Sequence, residues 1–147
     1  MRTALLTWDY PPAPSGLSTA AREIAESLAE AGADVTVFTL DRAGTARAGG
    51  VRIVGLALKP GGALARLRRC GSLGHLAAPL AFRRAVLAAH REAPFDVVEA
   101  TNWYAPAVLL AGRRDLPLVT RSSTPAAFTR GPAPNLRDRL DRRRRPA

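Results

Sequence analysis

The stretch Trp8-Asp9-Tyr10-Pro11-Pro12-Ala13-Pro14-Ser15-Gly16 separates an apolar run at 3–7 from an amphipathic run that begins at Leu17. Because its three prolines exclude a central strand or a helix interior, this stretch is expected to form a stiff loop. Gly16 has no Cβ and allows another group to approach closely, and the first amides of a following helix favour an anion such as phosphate. Strand, small-residue loop and helix start form the phosphate-facing arrangement of open α/β sheets.

A single glycine in this loop leaves two interpretations open. The dinucleotide fingerprint needs three spaced glycines, so the loop either faces a ligand or is an ordinary turn that Gly16 merely eases. Asp41 follows the second apolar run, where an acid would hold the ribose in a dinucleotide fold. The missing glycines favour a loop aspartate at that position.

Apolar and amphipathic runs alternate along the chain. Apolar residues at three- and four-residue steps predict a helix from Leu17 to Ala31, capped by Ser15 or Ser18 and ended by Gly32. Further helices are predicted at 75–92 and 103–114, and a mobile loop with a helical turn at 59–74. Strands are predicted at 3–8, 34–40, 51–56, 95–100 and 117–122. This alternation predicts an α/β fold with a doubly wound parallel sheet.

The carboxyl ends of the predicted strands are where a ligand is expected. Open α/β sheets bind ligands in the crevice beyond these ends. The rule selects four places, which are residues 8–16, Asp41, residues 99–103 and residues 121–125. The tryptophans and many polar residues lie in these places.

Composition narrows the class of protein. Its 147 residues fit one domain, and 47% apolar residues suffice for a core. One cysteine, Cys70, excludes an internal disulfide and suits a reducing compartment, so a cytoplasmic protein is expected. The amino terminus turns polar too soon for a signal peptide, and no apolar run approaches the roughly 18 residues of a membrane span. His75 and His90 lack partners at ligand spacing, so no metal or other cofactor is predicted.

The net charge of +10 is unevenly distributed. Residues 42–91 contain ten lysines and arginines and no acidic residue. A solvated basic face is the favoured interpretation, and an anionic membrane surface or nucleic acid is the alternative. Nucleic acid is the weaker of these two partners, because no aromatic residues alternate with the arginines as in a stacking platform for single strands.

The order and spacing of these pieces resemble the start of the family 4 glycosyltransferases. That pattern is an aromatic-Pro-Pro loop, a Gly-Gly pair, a helix and a Val-x-Val strand, matched here by Trp8–Gly16, Ala31-Gly32 and Val35-Thr36-Val37. Phe95–Ala100, and Pro117–Arg121 followed by Thr124-Pro125, are similar to the fourth and fifth strands of the family. The resemblance covers residues 2 to about 128.

The resemblance implies a GT-B architecture, in which two Rossmann-like domains face a cleft. Such enzymes transfer a sugar from a nucleotide-sugar with retention of configuration, usually without a metal. Residues 1–129 would be the acceptor-side, amino-terminal Rossmann-like domain, and 130–147 a basic, partly disordered tail that starts an interdomain helix. Ser15 and Gly16 would face the donor diphosphate. The acceptor side would be lined by Asp9, Tyr10, Glu99, Asn102, Trp103, Arg121 and Ser123.

Three departures from the family pattern qualify that expectation. Ser15 replaces the first glycine of the pair, and Ser123 stands where the family often has a histidine, so no catalytic residue is assigned. The chain stops in the basic tail, so we expect a truncated or split acceptor-side domain. Its partners would be a nucleotide-sugar, an acceptor of unknown identity and a donor-binding domain, with peripheral membrane contact as an open alternative. Two other hypotheses are a binding or regulatory module that lost its chemistry and a basic nucleic-acid-binding protein.

Overall fold

One six-stranded sheet organises the computed structural model, which describes residues 1–67, 69 and 71–122. The strand order across this sheet is β3-β4-β2-β1-β5-β6. All neighbours pair in parallel except β3 and β4, which pair antiparallel. The strands are β1 (Arg2–Thr7), β2 (Asp34–Thr39), β3 (Ala43–Ala48), β4 (Val51–Leu56), β5 (Val97–Thr101) and β6 (Leu118–Arg121). The five predicted strands and their parallel sheet are therefore confirmed.

Helices cover both faces of the sheet. They are α1 (Gly16–Glu30), α2 (Ala63–Leu67), a 3₁₀ helix (Gly71–Leu76) and α3 (Ala77–Glu92). α1 packs on one face, over a cluster that includes Leu5, Val35 and Ile53. α3 packs on the other face, where Phe82 and Val86 meet a cluster that includes Leu6 and Phe38. Alternate residues of β1 and β2 thus point to opposite cores, as strand geometry requires, and the doubly wound arrangement is confirmed.

The strand β3 was not predicted. All six of its residues are exposed, so it carries no buried face and its sequence, Ala-Gly-Thr-Ala-Arg-Ala, has no apolar alternation. It forms a hairpin with β4 through Gly49 and Gly50, both at positive φ, which is the backbone that a tight two-residue hairpin turn requires. β3 ends the sheet with an antiparallel edge strand.

The helix predicted at 103–114 is wrong. Successive turns replace it, with amides bonded to carbonyls three residues earlier, as from Leu110 to Ala107 at 2.8 Å. Pro106 lacks an amide hydrogen and disfavours helical backbone at the residue before it; Tyr104 and Ala105 both adopt positive φ. The apolar spacing that suggested a helix arises because residues in and just after this segment pack in the core between the sheet and α3. They include Ala107, Leu110 and Leu116.

The segment predicted as a loop at 59–74 is more ordered than expected, since α2 and most of the 3₁₀ helix lie in it. The predicted turn at 64–69 corresponds to α2. The helix predicted at 75–92 is confirmed as α3, with Pro79 in its first turn. Cys70, Ser123 and the basic tail at 130–147 lie outside the described residues.

Ser15 caps α1, which settles the choice left open with Ser18. The Ser15 backbone is extended, and its hydroxyl accepts a hydrogen bond from the amide of Ser18 at 2.9 Å. At the other end, Gly32 adopts φ 87°, the predicted left-handed stop. Ser15 therefore fixes the residue at which the proline-rich loop becomes helix.

Removing this cap is expected to destabilise the protein measurably. Ser15→Ala deletes the only side-chain acceptor seen at the described start of α1, and a lost cap costs about 1 kcal/mol. Ser27→Ala, an exposed position on the same helix, is the matched control and is expected to change little. Urea unfolding followed by circular dichroism measures both, and equal midpoints for the two variants would contradict the assignment.

Candidate functional site

The loops after β1 and β5 meet at the point where the sheet reverses its winding. β1 lies between β2 and β5, with α1 crossing over one face and α3 reaching β5 over the other. The indole Nε1 of Trp8 donates a hydrogen bond to the backbone carbonyl of Trp103 at 2.8 Å. The Trp8 ring also meets the edges of Phe82 and Tyr104, at centroid distances of 6.2 Å and 5.4 Å. Trp8 thus joins the two loops at the switch point, where open α/β sheets bind ligands.

The start of α1 presents free amides beside this junction. The cap uses the amide of Ser18, and the amide of Thr19 bonds the Ser15 carbonyl at 3.0 Å. The amides of Gly16 and Leu17 have no partner among the described residues. A Cβ built on Gly16 meets nothing within 4 Å, so the space in front of it is open. The predicted phosphate-facing residues therefore sit at an accessible helix start.

An ion pair at the end of β2 holds the proline-rich loop in place. The Asp41 carboxylate accepts hydrogen bonds from the amide of Tyr10 at 3.0 Å and the hydroxyl of Thr39 at 2.9 Å. Arg42 binds the same carboxylate and donates to the carbonyls of Tyr10 and Pro11, the latter at 2.9 Å. The Pro11–Pro12 peptide bond is cis. Asp41 is a loop aspartate, as favoured, and its role here is to anchor the loop backbone.

The Asp41 carboxylate is held in its charged form. Burial raises its pKa, but the hydrogen bonds from Arg42, the Tyr10 amide and Thr39 together outweigh burial and leave the pKa below its ordinary value of 3.8. The hydrogen bond between Arg42 and the Asp41 carboxylate raises the pKa of Arg42. A carboxyl group with a lowered folded-state pKa stabilises the fold above its ordinary pKa and loses that contribution as the pH falls through the lower value.

Asp41→Asn is expected to weaken the acid dependence of stability. At neutral pH the variant should lose about 1–3 kcal/mol of unfolding free energy, because charged hydrogen bonds are replaced. From about pH 5 downward its stability should fall less steeply than that of the wild type. Urea titrations across that range measure this, with Glu30→Gln at an exposed position as control. Parallel curves for wild type and Asp41→Asn would contradict the role assigned to the anchor.

Glu99 in the middle of β5 and Arg121 at the end of β6, both predicted on the acceptor side, are brought together. Arg121 Nε donates to Glu99 Oε1 at 2.8 Å, and the side chains are 14% and 24% exposed for Glu99 and Arg121, respectively. The Asn102 amide bonds the Arg121 carbonyl at 3.0 Å, and the Trp103 amide bonds the Thr101 hydroxyl at 3.2 Å. Four predicted residues thus lie in one connected group at the carboxyl edge.

Asp9 and Tyr10 differ in placement although they are adjacent. Oδ1 of Asp9 is buried and has no hydrogen-bond partner among the described residues. The Tyr10 side chain is 2% exposed and packs in the core beneath α1, with Ala21 and Ala25. Burial, and next the charge of Glu26, raises the pKa of the Tyr10 phenol. Tyr10 therefore supports the loop from below, and its phenol oxygen, like Asp9 Oδ1, is buried without a hydrogen-bond partner among the described residues.

Two residues of the site were not predicted. Arg42 donates to the backbone carbonyls of Pro11 and Tyr10, which lie 31 and 32 positions earlier in the chain. No local sequence pattern predicts such a contact. Tyr104 was treated as part of a helix, yet it is 54% exposed beside Trp8. Tyr104 has a positive φ in the turn that precedes Pro106. That proline is the sequence feature that could have indicated a turn here. His90 lies at the opposite end of α3, where its Nδ1 accepts from the Phe95 amide.

The described residues lack two features, a metal-binding cluster and a membrane-spanning helix. No group of three or more His, Cys, Asp or Glu side chains is arranged to hold a metal ion. Within the same part of the chain, no helix has the length and apolar character needed to cross a membrane.

The sheet order and the site define the class of protein. Apart from the edge strand β3, the parallel strands run in the order third, second, first, fourth, fifth, with helices on both faces, which is the Rossmann-like arrangement. Residues 15–145 match the family model of the glycosyl transferase 4-like domain. The chain belongs to this family, and the predicted resemblance is confirmed.

A solved structure supports the same fold. The sucrose-phosphate synthase from Thermosynechococcus elongatus superposes with a TM-score of 0.64 over 87% of this chain, at 17% sequence identity. The match takes in 34% of that protein, so this chain spans about a third of its length. No curated protein matches the sequence. The fold is thus Rossmann-like and corresponds to one half of the GT-B architecture.

Proposed function

We propose that this chain is the acceptor-side half of a retaining glycosyltransferase that uses a nucleotide-sugar donor and needs a second, donor-binding domain for transfer. The observation that carries the proposal is the Trp8–Trp103 hydrogen bond, which joins the two switch-point loops beside the open helix start of α1. Family membership supports the transferase class. The retaining course and the absence of a metal requirement are carried over from the family resemblance.

The start of α1 is proposed to face the donor diphosphate. The amides of Gly16 and Leu17 have no partner in the part of the chain that the structure describes, and the helix dipole favours an anion there by about 0.3–1 kcal/mol. The Ser15 hydroxyl accepts the capping bond, which leaves its own proton available for a phosphate oxygen. This accounts for a serine in place of the first glycine of the family pair, because the hydroxyl serves the cap and a phosphate together.

The acceptor is proposed to lie over the ends of β1, β5 and β6. Asp9 Oδ1 is a buried acceptor without a partner among the described residues, which suits a hydroxyl donor on the acceptor. The Glu99–Arg121 pair is partly exposed and offers both signs of charge beside Asn102. The exposed ring of Tyr104 and the partly buried Trp103 supply an apolar surface on which a sugar ring can pack.

A diphosphate titration tests the placement of the donor. In ¹H–¹⁵N spectra of the full chain, inorganic diphosphate and nucleoside diphosphates are expected to shift the amides of Gly16 and Leu17 first. Gly16→Val should remove these shifts, because a side chain would block the approach. It should leave cooperative unfolding intact, because a Cβ at Gly16 meets nothing within 4 Å.

The same titration separates a ligand-facing Gly16 from a simple turn residue. Arg91→Ala, an exposed change at the far end of α3, is the control and should leave the diphosphate shifts unchanged. Shifts that persist in Gly16→Val, or that spread evenly over the basic residues, would refute the proposed donor contact.

A further inference from the structure

A cavity separate from the loop junction opens between the end of β4, α2 and α3. Its volume is about 380 Å³, within the range of small-molecule sites. Apolar side chains dominate its wall, and the leucines are Leu56, Leu58 and Leu64. Ala81 and Ala85 form the α3 side, and they flank Phe82, whose ring contacts Trp8. The cavity therefore lies on the α3 side of the sheet, beside the end of β4.

Two cations stand among these apolar residues. Lys59 and Arg84 line the cavity, and both residues are exposed, so their stems can cover apolar surface while their charged ends reach water. Neither forms an ion pair within the described part of the chain. The sequence from 42 to 91 supplies no acidic residue to neutralise them. The cavity thus combines an apolar interior with an unpaired positive rim.

The neighbouring edge of the sheet is also positive. Arg47 of β3 lies directly opposite Arg52 of β4, and like charges in that position repel each other. Arg52 shares the sheet face of Val54, which packs with the α3-side core. This pair adds positive charge to the same sheet.

We propose that this cavity binds a single-chain anionic amphiphile, with its apolar chain against the leucines and a phosphate head between Lys59 and Arg84. The lining of the cavity favours a ligand with both parts, because a bare anion would leave the apolar wall uncovered and a neutral chain would leave the two cations without a counter-charge. This cavity is a second site, apart from the acceptor position proposed above over the ends of β1, β5 and β6. The binding proposed here does not depend on the proposed function.

Calorimetric titration of the full chain with decyl phosphate, below its critical micelle concentration, tests the proposal. Saturable binding is expected, with inorganic phosphate and decyl maltoside each weaker by about tenfold or more. The double variant Lys59→Ala/Arg84→Ala should bind decyl phosphate more weakly than the wild type by a similar factor. Its matched control, Arg83→Ala/Arg91→Ala, removes the same charge from exposed positions on α3 that do not line the cavity, and should bind as the wild type does.

Filling the cavity tests the apolar part. Ala85→Phe places a ring in the cavity, and Ala65→Phe does so from α2 in case the first variant fails to fold. Either variant, if folded, should no longer bind decyl phosphate. Ala88 lies on an exposed part of α3, so Ala88→Phe should bind decyl phosphate as the wild type does. Equal loss in both charge variants, equal affinity for inorganic phosphate, or no binding by the folded wild type would each overturn the proposal. Decyl phosphate binding by a chain that fails the diphosphate titration would support the cavity site and refute only the proposed donor contact.

Discussion

Purified residues 1–147 are expected to transfer no sugar from any nucleotide-sugar. Transfer needs the donor carbon and the acceptor hydroxyl held at about 3–3.5 Å, and such positioning supplies about 7–11 kcal/mol of barrier lowering. Under the proposed function the two substrates are held by two domains, and this chain spans about a third of the matched synthase. The amides of Gly16 and Leu17, which have no partner among the described residues, offer about 0.3–1 kcal/mol, which is too little to replace that positioning.

The measurement is incubation of the purified chain with a panel of nucleotide-sugars and candidate acceptors, followed by detection of glycoside and released nucleotide. A complete glycosyltransferase run in parallel shows that the assay detects turnover. Clear turnover by the monomeric chain, with no second protein present, would refute both the two-domain requirement and the acceptor-side assignment.

Phe82→Ala is expected to be the most destabilising of the variants considered. The Phe82 side chain is fully buried at the centre of the α3-side core, and replacing such a ring by a methyl group costs about 3–5 kcal/mol. The change also removes the edge contact that supports the Trp8 ring. The free energy of unfolding, from urea titration followed by circular dichroism, measures the loss.

Two further variants control for size and position. Phe82→Leu keeps most of the apolar volume and should cost clearly less than alanine. Leu73→Ala removes an apolar side chain that is 50% exposed, and should change stability by no more than about 0.5 kcal/mol. A loss in Phe82→Ala no larger than in Leu73→Ala would contradict the assigned core.

The sheet could be predicted because its strands are buried on both faces. Leu5, Val37 and Val98 are fully buried, and continuous apolar runs of this kind stand out from their surroundings. The strand β3 lacks that feature, since every residue in it is exposed. The turns after Trp103 share the apolar spacing of a helix because the same core receives them, so periodicity alone could not separate the two.

The sequence could predict where the candidate site lies in the fold, but not most of the contacts within it. The switch-point rule predicted Asp9 and Trp103 in loops at the carboxyl ends of the strands, and they lie in the loops after β1 and β5, because this placement depends only on strand order. The partners of Arg42 and the burial of Tyr10 depend on how a proline-rich loop folds back over α1 and β2. Such long-range contacts have no periodic signature, so they needed the three-dimensional arrangement.

The pairing of Trp8 with Trp103 has a practical consequence. These are the chain's two tryptophans, and both lie in the junction between the loops after β1 and β5. Intrinsic tryptophan emission therefore comes from the switch point alone, without any introduced label. A ligand that separates the two loops, or a quencher that enters between them, changes the light emitted by the unmodified protein.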